Sequence, residues 1–179
     1  DPLAFRLARL SSERLRAVVE DVTGRAGWNG RTRTPGLGMG LACGTEKGSY
    51  VAACVEVAVD EDGRTFRVKE IWQTFECGAI QDPANLDAQV RGCIIMGLGG
   101  ALTEAMQFGD GRIVNASLHS YRVPRFADVP PMSINLLNRT DLPSVGAGET
   151  PIIAVAPAIA NALVDAVGVR SRSMPLRLG

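Results

Sequence analysis

A chain of 179 residues is expected to form one domain or two small ones. At that length roughly 70% of the unfolded surface can be buried, so folding needs neither disulfides nor a metal. Nineteen basic and nineteen acidic residues cancel, which removes the electrostatic argument for binding nucleic acid or an anionic membrane surface. No run of eighteen uncharged apolar residues occurs, and the candidate Cys93 to Leu102 is short and interrupted by Gly97, Gly99 and Gly100, so no membrane span is expected.

The opening Asp1-Pro2-Leu3-Ala4-Phe5-Arg6 carries no signal-peptide or lipidation pattern and reads as the interior of a longer polypeptide. Leu15, Val18, Val19 and Val22 then fall at helical spacing, predicting a helix over 11–26 with Gly24 and Gly27 as stop signals. A loop follows from Trp28 to Pro35, and Gly36 to Cys43 reads as a strand. Val51, Val55, Val57 and Val59 share one face of a second strand at period two. Beyond the turn Asp60-Glu61-Asp62-Gly63, a third strand runs through Phe66, Val68 and Trp72. Its apolar phase slips between Val68 and Ile71, which predicts a bulge near Lys69. An antiparallel meander over 36–76 is the expected result.

Asp82-Pro83 has the signature of a helix start, with Asp as N-cap and Pro at the first helical position. Leu86, Val90, Ile94, Leu98, Leu102 and Met106 make a four-spaced ridge of large side chains, predicting a helix over about 83–106. Cys93, Gly97, Ala101 and Ala105 form a stripe of small residues beside it. Each glycine inside a helix costs about 1 kcal/mol relative to Ala, so this stripe is expected to face a close neighbour. Arg112 to Ser117 and Ser133 to Leu137 read as strands, with Pro124, Pro130 and Pro131 enforcing an extended crossing between them. Pro157 splits the last apolar stretch into a short turn at 151–155 and a main helix from Pro157 to about Gly168. The fold class is therefore α+β: a sheet packed by a long buried helix and a C-terminal helix.

Four cysteines (Cys43, Cys54, Cys77 and Cys93) are spaced too widely for a C-x-x-C metal or iron–sulfur pattern. They are expected as small buried hydrophobes with reduced thiols. Gly36-Leu37-Gly38-Met39-Gly40 lacks the G-x-G-x-x-G spacing, and no helix is expected after it, so it is not read as a phosphate loop. Gly44 to Gly48 is read as a turn, and His119, the single histidine, as a surface or structural residue. The segment Ser144-Val145-Gly146-Ala147-Gly148-Glu149-Thr150-Pro151 has two readings. Glu149 is either an anion favoured by a helix dipole, the commoner situation, or a general base held out by a flexible glycine loop.

Several stretches together resemble one family, the molybdenum hydroxylases, which include xanthine dehydrogenase, aldehyde oxidoreductase and the large subunit of isoquinoline 1-oxidoreductase. Phe75-Glu76-Cys77-Gly78 with Asp82-Pro83 is similar to the family's D-C-G…N-P loop, and Gln89-Val90-Arg91-Gly92-Cys93 with Gly97-Leu98-Gly99 to its Q-x-E-G-G helix. Tyr121-x-x-Pro124 with Asp128-x-Pro130 resembles its crossing segment, and Val145-Gly146-Ala147-Gly148-Glu149 its G-V-G-E loop. Glu76 stands where the family has Asp, Arg91 and Cys93 alter the helix motif, and Ala147 separates the loop glycines.

The resemblance implies a C-terminal cofactor-binding domain over 1–179, cut from a larger subunit. It implies a molybdenum–pterin cofactor, in the cytosine dinucleotide form, with Glu149 as catalytic base. Gln89 and the backbone of Gly146, Ala147 and Gly148 are then cofactor contacts, and no residue is a metal ligand. The implied partners are the N-terminal remainder of the subunit, an iron–sulfur subunit or domain, and a small aldehyde or N-heterocyclic substrate. The family's other cofactor motifs lie upstream, so this piece alone is expected to hold no cofactor and to be inactive. The alternative is a scaffold that keeps the fold without turnover.

Overall fold

The computed structural model describes residues 1–32 and 34–178; position 33, inside the expected 28–35 loop, lies outside the described residues. Asp1 caps a short helix, α1 (Pro2–Leu7), through its carboxylate at 2.8 and 2.9 Å from the Leu3 and Ala4 amides. Sequence periodicity gives no sign of this helix, because six residues are less than two turns. Ser12 caps α2 (Glu13–Arg25), whose Val18, Val19 and Val22 are fully buried. Gly24 is inside α2 rather than ending it; the chain turns at Gly27, which takes the left-handed φ of +66°.

The meander is present as expected: β1 (Leu37–Glu46), β2 (Ser49–Val59) and β3 (Phe66–Glu76) pair antiparallel in sequence order. Glu56 pairs with Glu70 and Val57 with Val68, which leaves Lys69 as the extra residue of the bulge. The bulge keeps Phe66 and Val68 on the same face as Ile71 and Phe75. Only Lys47-Gly48 forms the β1–β2 turn, since Gly44, Thr45 and Glu46 still pair with β2.

Asp82 caps α3 (Pro83–Leu102) through the Asn85 amide at 3.0 Å. The helix ends at Leu102, one turn before the expected end, and Met106 is exposed. There the Ala101 carbonyl, which would accept the Ala105 amide, takes the Leu176 amide at 2.8 Å, and the Glu104 amide turns back to the Gly99 carbonyl. Beyond it, the Asn115 side chain accepts from the Gln107 amide at 2.8 Å and donates to the Ala105 carbonyl at 2.7 Å. Those backbone groups are therefore committed outside the helix ladder. The strand expected over 112–117 is cut short as well. What remains is a pair of two-residue strands, β4 (Phe108–Gly109) and β5 (Arg112–Ile113). After the proline-rich crossing, β6 (Met132–Leu137) pairs parallel with β3, completing a mixed sheet of order β1-β2-β3-β6.

A turn at Thr150–Ile152 precedes α4 (Val155–Val167), which starts two residues before Pro157. Pro157 fits there because a first-turn residue needs no intrahelical N–H bond. Gly168, at φ +74°, closes the helix. An apolar 18-residue window lies at Thr150–Val167, with mean hydropathy 1.7, rather than at Cys93–Leu102. Its continuous helix of 13 residues spans only ~20 Å, short of the roughly 30 Å of a bilayer core. Its face of Ala158, Ile159, Ala162 and Leu163 is spent on the sheet.

The sheet is covered on both sides. Val51, Ala53, Val55 and Val57 of β2 face α3 and α4, while Ala52 and Cys54 face α2 and Trp28. In β1 the α4 side is Gly38 and Gly40, and a Cβ at either position would lie 2.1 or 2.0 Å from the carbonyl oxygens of Ala162 and Ala158. These glycines therefore let a helix backbone lie directly on a strand. The α4 side chains of Asn161 and Asp165 also engage β1, bonding the Leu41 carbonyl and the Met39 amide at 3.0 Å each. The small stripe of α3 behaves alike: a Cβ on Gly97 would meet Val155 at 2.8 Å. All four cysteines are free, with Cys54, Cys77 and Cys93 buried; burial pushes the Cys54 thiol up to about 12.

Candidate functional site

One end of the sheet gathers four pieces of chain: the β1–β2 turn, the loop after β3, the first half of α3, and the 144–150 loop. Glu76, at the end of β3, is buried and receives Arg14 of α2 through two nitrogens at 2.5 and 2.8 Å. Its carboxylate also accepts the Gly78 amide at 2.5 Å, curling the loop back on itself. Gly78 takes φ +78°, and a Cβ there would overlap the Pro143 carbonyl at 2.0 Å. The Cys77 carbonyl then accepts the Val145 amide at 2.9 Å, and the Ser144 hydroxyl donates to the Ala79 carbonyl. The buried Glu76 thus ties the loop after β3 to the start of the glycine loop.

The glycine loop itself is tied down by its carbonyls. Ser49, fully buried at the start of β2, donates its hydroxyl to the Gly146 carbonyl. Gln89 donates to the Gly148 carbonyl at 2.6 Å, and the Cys93 thiol lies 3.3 Å from the same oxygen. Thr150, buried, donates to the Glu46 carbonyl at 3.2 Å, and Gln73 of β3 holds the Pro151 carbonyl at 2.9 Å. In a trans peptide the N–H points opposite to the C=O. With the carbonyls of Gly146 and Gly148 turned towards Ser49 and Gln89, the amides of Ala147 and Glu149 point away from them, out of the loop.

Glu149 is exposed at the end of this loop. Its carboxylate receives the Lys47 ammonium, which also lies 3.6 Å from Glu46. The Lys47 hydrogen bond holds the Glu149 carboxyl below the usual carboxylate range, and the same bond pushes the Lys47 ammonium up. Burial raises the Cys93 thiol, so it is a neutral neighbour of the loop rather than a thiolate.

The structure therefore brings together all five residues that the sequence singled out: Gln89, Gly146, Ala147, Gly148 and Glu149. His119 is exposed on the crossing segment, and among the described residues no three His, Cys, Asp or Glu side chains are grouped to hold a metal ion. The sequence does not reveal Arg14, Lys47, Ser49, Gln73 or Thr150, whose partners are between 62 and 104 residues away in the chain. One signal was available: a Lys-Gly pair at a two-residue hairpin turn, where Asn-Gly or Asp-Gly is usual.

The donor set fits an oxygen- and nitrogen-rich heterocyclic cofactor. It combines outward backbone amides, a side-chain amide and a glycine loop that lets a ligand approach the backbone. Residues 23–130 match the family model of the molybdopterin cofactor-binding domain. The chain is 34% identical to the isoquinoline 1-oxidoreductase subunit beta of Brevundimonas diminuta, over 99% of this chain and 23% of that protein. The family match stops short of the glycine loop, whereas this alignment takes in nearly the whole chain. In structure it is similar to quinoline 2-oxidoreductase from Pseudomonas putida 86, with a TM-score of 0.65 and 27% identity over 71% of this chain and 17% of that one. The aldehyde oxidoreductase of Desulfovibrio gigas gives a TM-score of 0.62 at 28% identity, over 71% of this chain and 14% of that one. The chain thus spans about a quarter or less of the length of these proteins.

Proposed function

Because this chain belongs to the molybdopterin cofactor-binding domain family, we propose that it is the C-terminal cofactor-binding part of a molybdenum hydroxylase large subunit, with Glu149 as catalytic base. The substrate class is a small aldehyde or N-heterocycle, as the names of the similar proteins suggest. When bound, the molybdenum–pterin supplies the two-electron redox chemistry; the proposed form is the cytosine dinucleotide. Gln89 and the outward amides of Ala147 and Glu149 would hold it.

The observation that carries this reading is the carbonyl tethering of the glycine loop. It fixes the backbone while leaving the Glu149 side chain exposed beside those outward amides. An ionised carboxylate there can accept a proton at either oxygen, which is what a general base must do. The proposed partners are the remainder of the large subunit and an iron–sulfur subunit or domain that carries electrons away. Support comes from the segment between α3 and β6, where Phe108, Leu118 and Phe126 are 74%, 78% and 101% exposed. Bare apolar side chains on this segment support the reading that a partner packs there.

The test is Glu149→Gln in the assembled enzyme. General base catalysis contributes about 10²–10⁴-fold, so kcat should fall at least ~100-fold while molybdenum content and thermal stability hold. Near-parental turnover with full molybdenum overturns the reading and leaves the scaffold in its place.

A further inference from the structure

We propose that Lys47, at the tip of the β1–β2 hairpin, is a positioning residue for Glu149: its ammonium fixes both the direction and the charge of the carboxylate. The inference rests on the reading of Glu149 as the base and adds the residue that sets its state.

The first observation is the turn. Lys47 has φ +51° and Gly48 +81°, the paired positive values of a two-residue hairpin turn. At the first of these positions Asn, Asp or Gly is favoured, because a Cβ crowds the backbone there. A lysine held in that conformation is uncommon, and outliers of this kind gather at functional sites.

The second observation is that the two backbones are docked independently of the ion pair. Ser49 binds the Gly146 carbonyl on one side of Lys47, and Thr150 binds the Glu46 carbonyl on the other. Both hydroxyl residues are buried, and a Cβ on Gly48 would meet the Val145 side chain at 3.4 Å. The hairpin tip is thereby a cradle for the glycine loop, and Lys47 is the side chain at its rim nearest the carboxylate. An exposed ion pair between two free side chains is worth little. Here both ends are anchored by hydrogen bonds that do not involve the pair.

Among the described residues the charged groups facing Glu149 are Lys47 and Glu46, both from the hairpin. From α3 the loop meets the neutral amide of Gln89 and the neutral thiol of Cys93. Lys47 is therefore the positive charge at this carboxylate. Without its hydrogen bond and its charge, Glu149 would gain its proton at a higher pH.

The experiment is a carbon-13 titration of the Glu149 side-chain carboxyl in the full chain, with the signal assigned by its loss in Glu149→Gln. Lys47→Met should move the midpoint up, and Lys47→Arg should restore it. In the assembled enzyme the acid limb of kcat/KM against pH should move the same way for Lys47→Met. An unchanged midpoint in Lys47→Met, with the amide spectrum preserved, overturns the proposal even if Glu149→Gln abolishes turnover. Undiminished turnover in Glu149→Gln instead overturns the base assignment, whatever the midpoint does.

Discussion

The glycine loop at 144–150 and the crossing segment at 103–131 are both irregular chain, yet they are held in opposite ways. The loop has its backbone secured by side chains from β2, β3 and α3, and Thr150 at its end is buried. The crossing segment has its polar groups satisfied locally, by Asn115, Tyr121 and Asp128, while its large apolar side chains face outwards. One region is closed by this chain's own side chains; the other leaves its large apolar side chains exposed. A backbone in irregular conformation needs partners for its amides and carbonyls, whereas an apolar side chain carries no hydrogen bond to satisfy and can stand exposed.

Substitutions at close backbone contacts should test the first half of that comparison most severely. Gly40→Val places a branched side chain where even a Cβ would be 2.0 Å from the Ala158 carbonyl. Backbone cannot yield as a flexible side chain does, so the loss should exceed about 4 kcal/mol, an exceptional value for one residue. A soluble, cooperative Gly40→Val variant with the parental urea midpoint would show that α4 does not rest on β1.

A smaller effect is expected at Gly97, where the neighbour is the Val155 side chain rather than backbone. Overpacking with Gly97→Leu should cost roughly 1–3 kcal/mol. The measurement is again the urea midpoint, and no change would mean that the small stripe of α3 faces open space.

The crossing segment should respond least. Leu118→Ser and Phe126→Ser remove exposed side chains, so the stability of the chain by itself should move by less than ~0.5 kcal/mol. A loss comparable to that of Gly97→Leu would place those residues in a packed core and erase the contrast between the two regions.

How far the linear chain foretells this structure differs by element. The Asp82-Pro83 helix start, the Gly168 stop, the three-stranded meander and the bulge at Lys69 are all legible, because each depends on neighbours within a few residues. Even the slip in apolar phase is local information, since it counts one residue too many between Val68 and Ile71. The end of α3 is not legible. The ridge of large side chains continues to Met106, but the Leu176 amide, far along the chain, takes the Ala101 carbonyl that the next turn would need. Gly36 to Gly40 is legible only as something that is not a phosphate loop; that it is the seat of α4 depends on a helix more than a hundred residues later.

The candidate site divides along the same line. Spacing left Glu149 with two readings; the resemblance of the glycine loop and of the Gln89 helix was what singled out Glu149, Gln89 and the backbone between Gly146 and Gly148. Their assembly, with Lys47 on the carboxylate, Ser49 and Thr150 as anchors and Arg14 securing Glu76 behind them, was decided by tertiary structure alone. Local conformational preference acts within a turn or two of chain, so it can be read along the sequence. A hydrogen bond or ion pair between distant residues forms only after the sheet has set which loops share an end, and that information is carried by the packed fold.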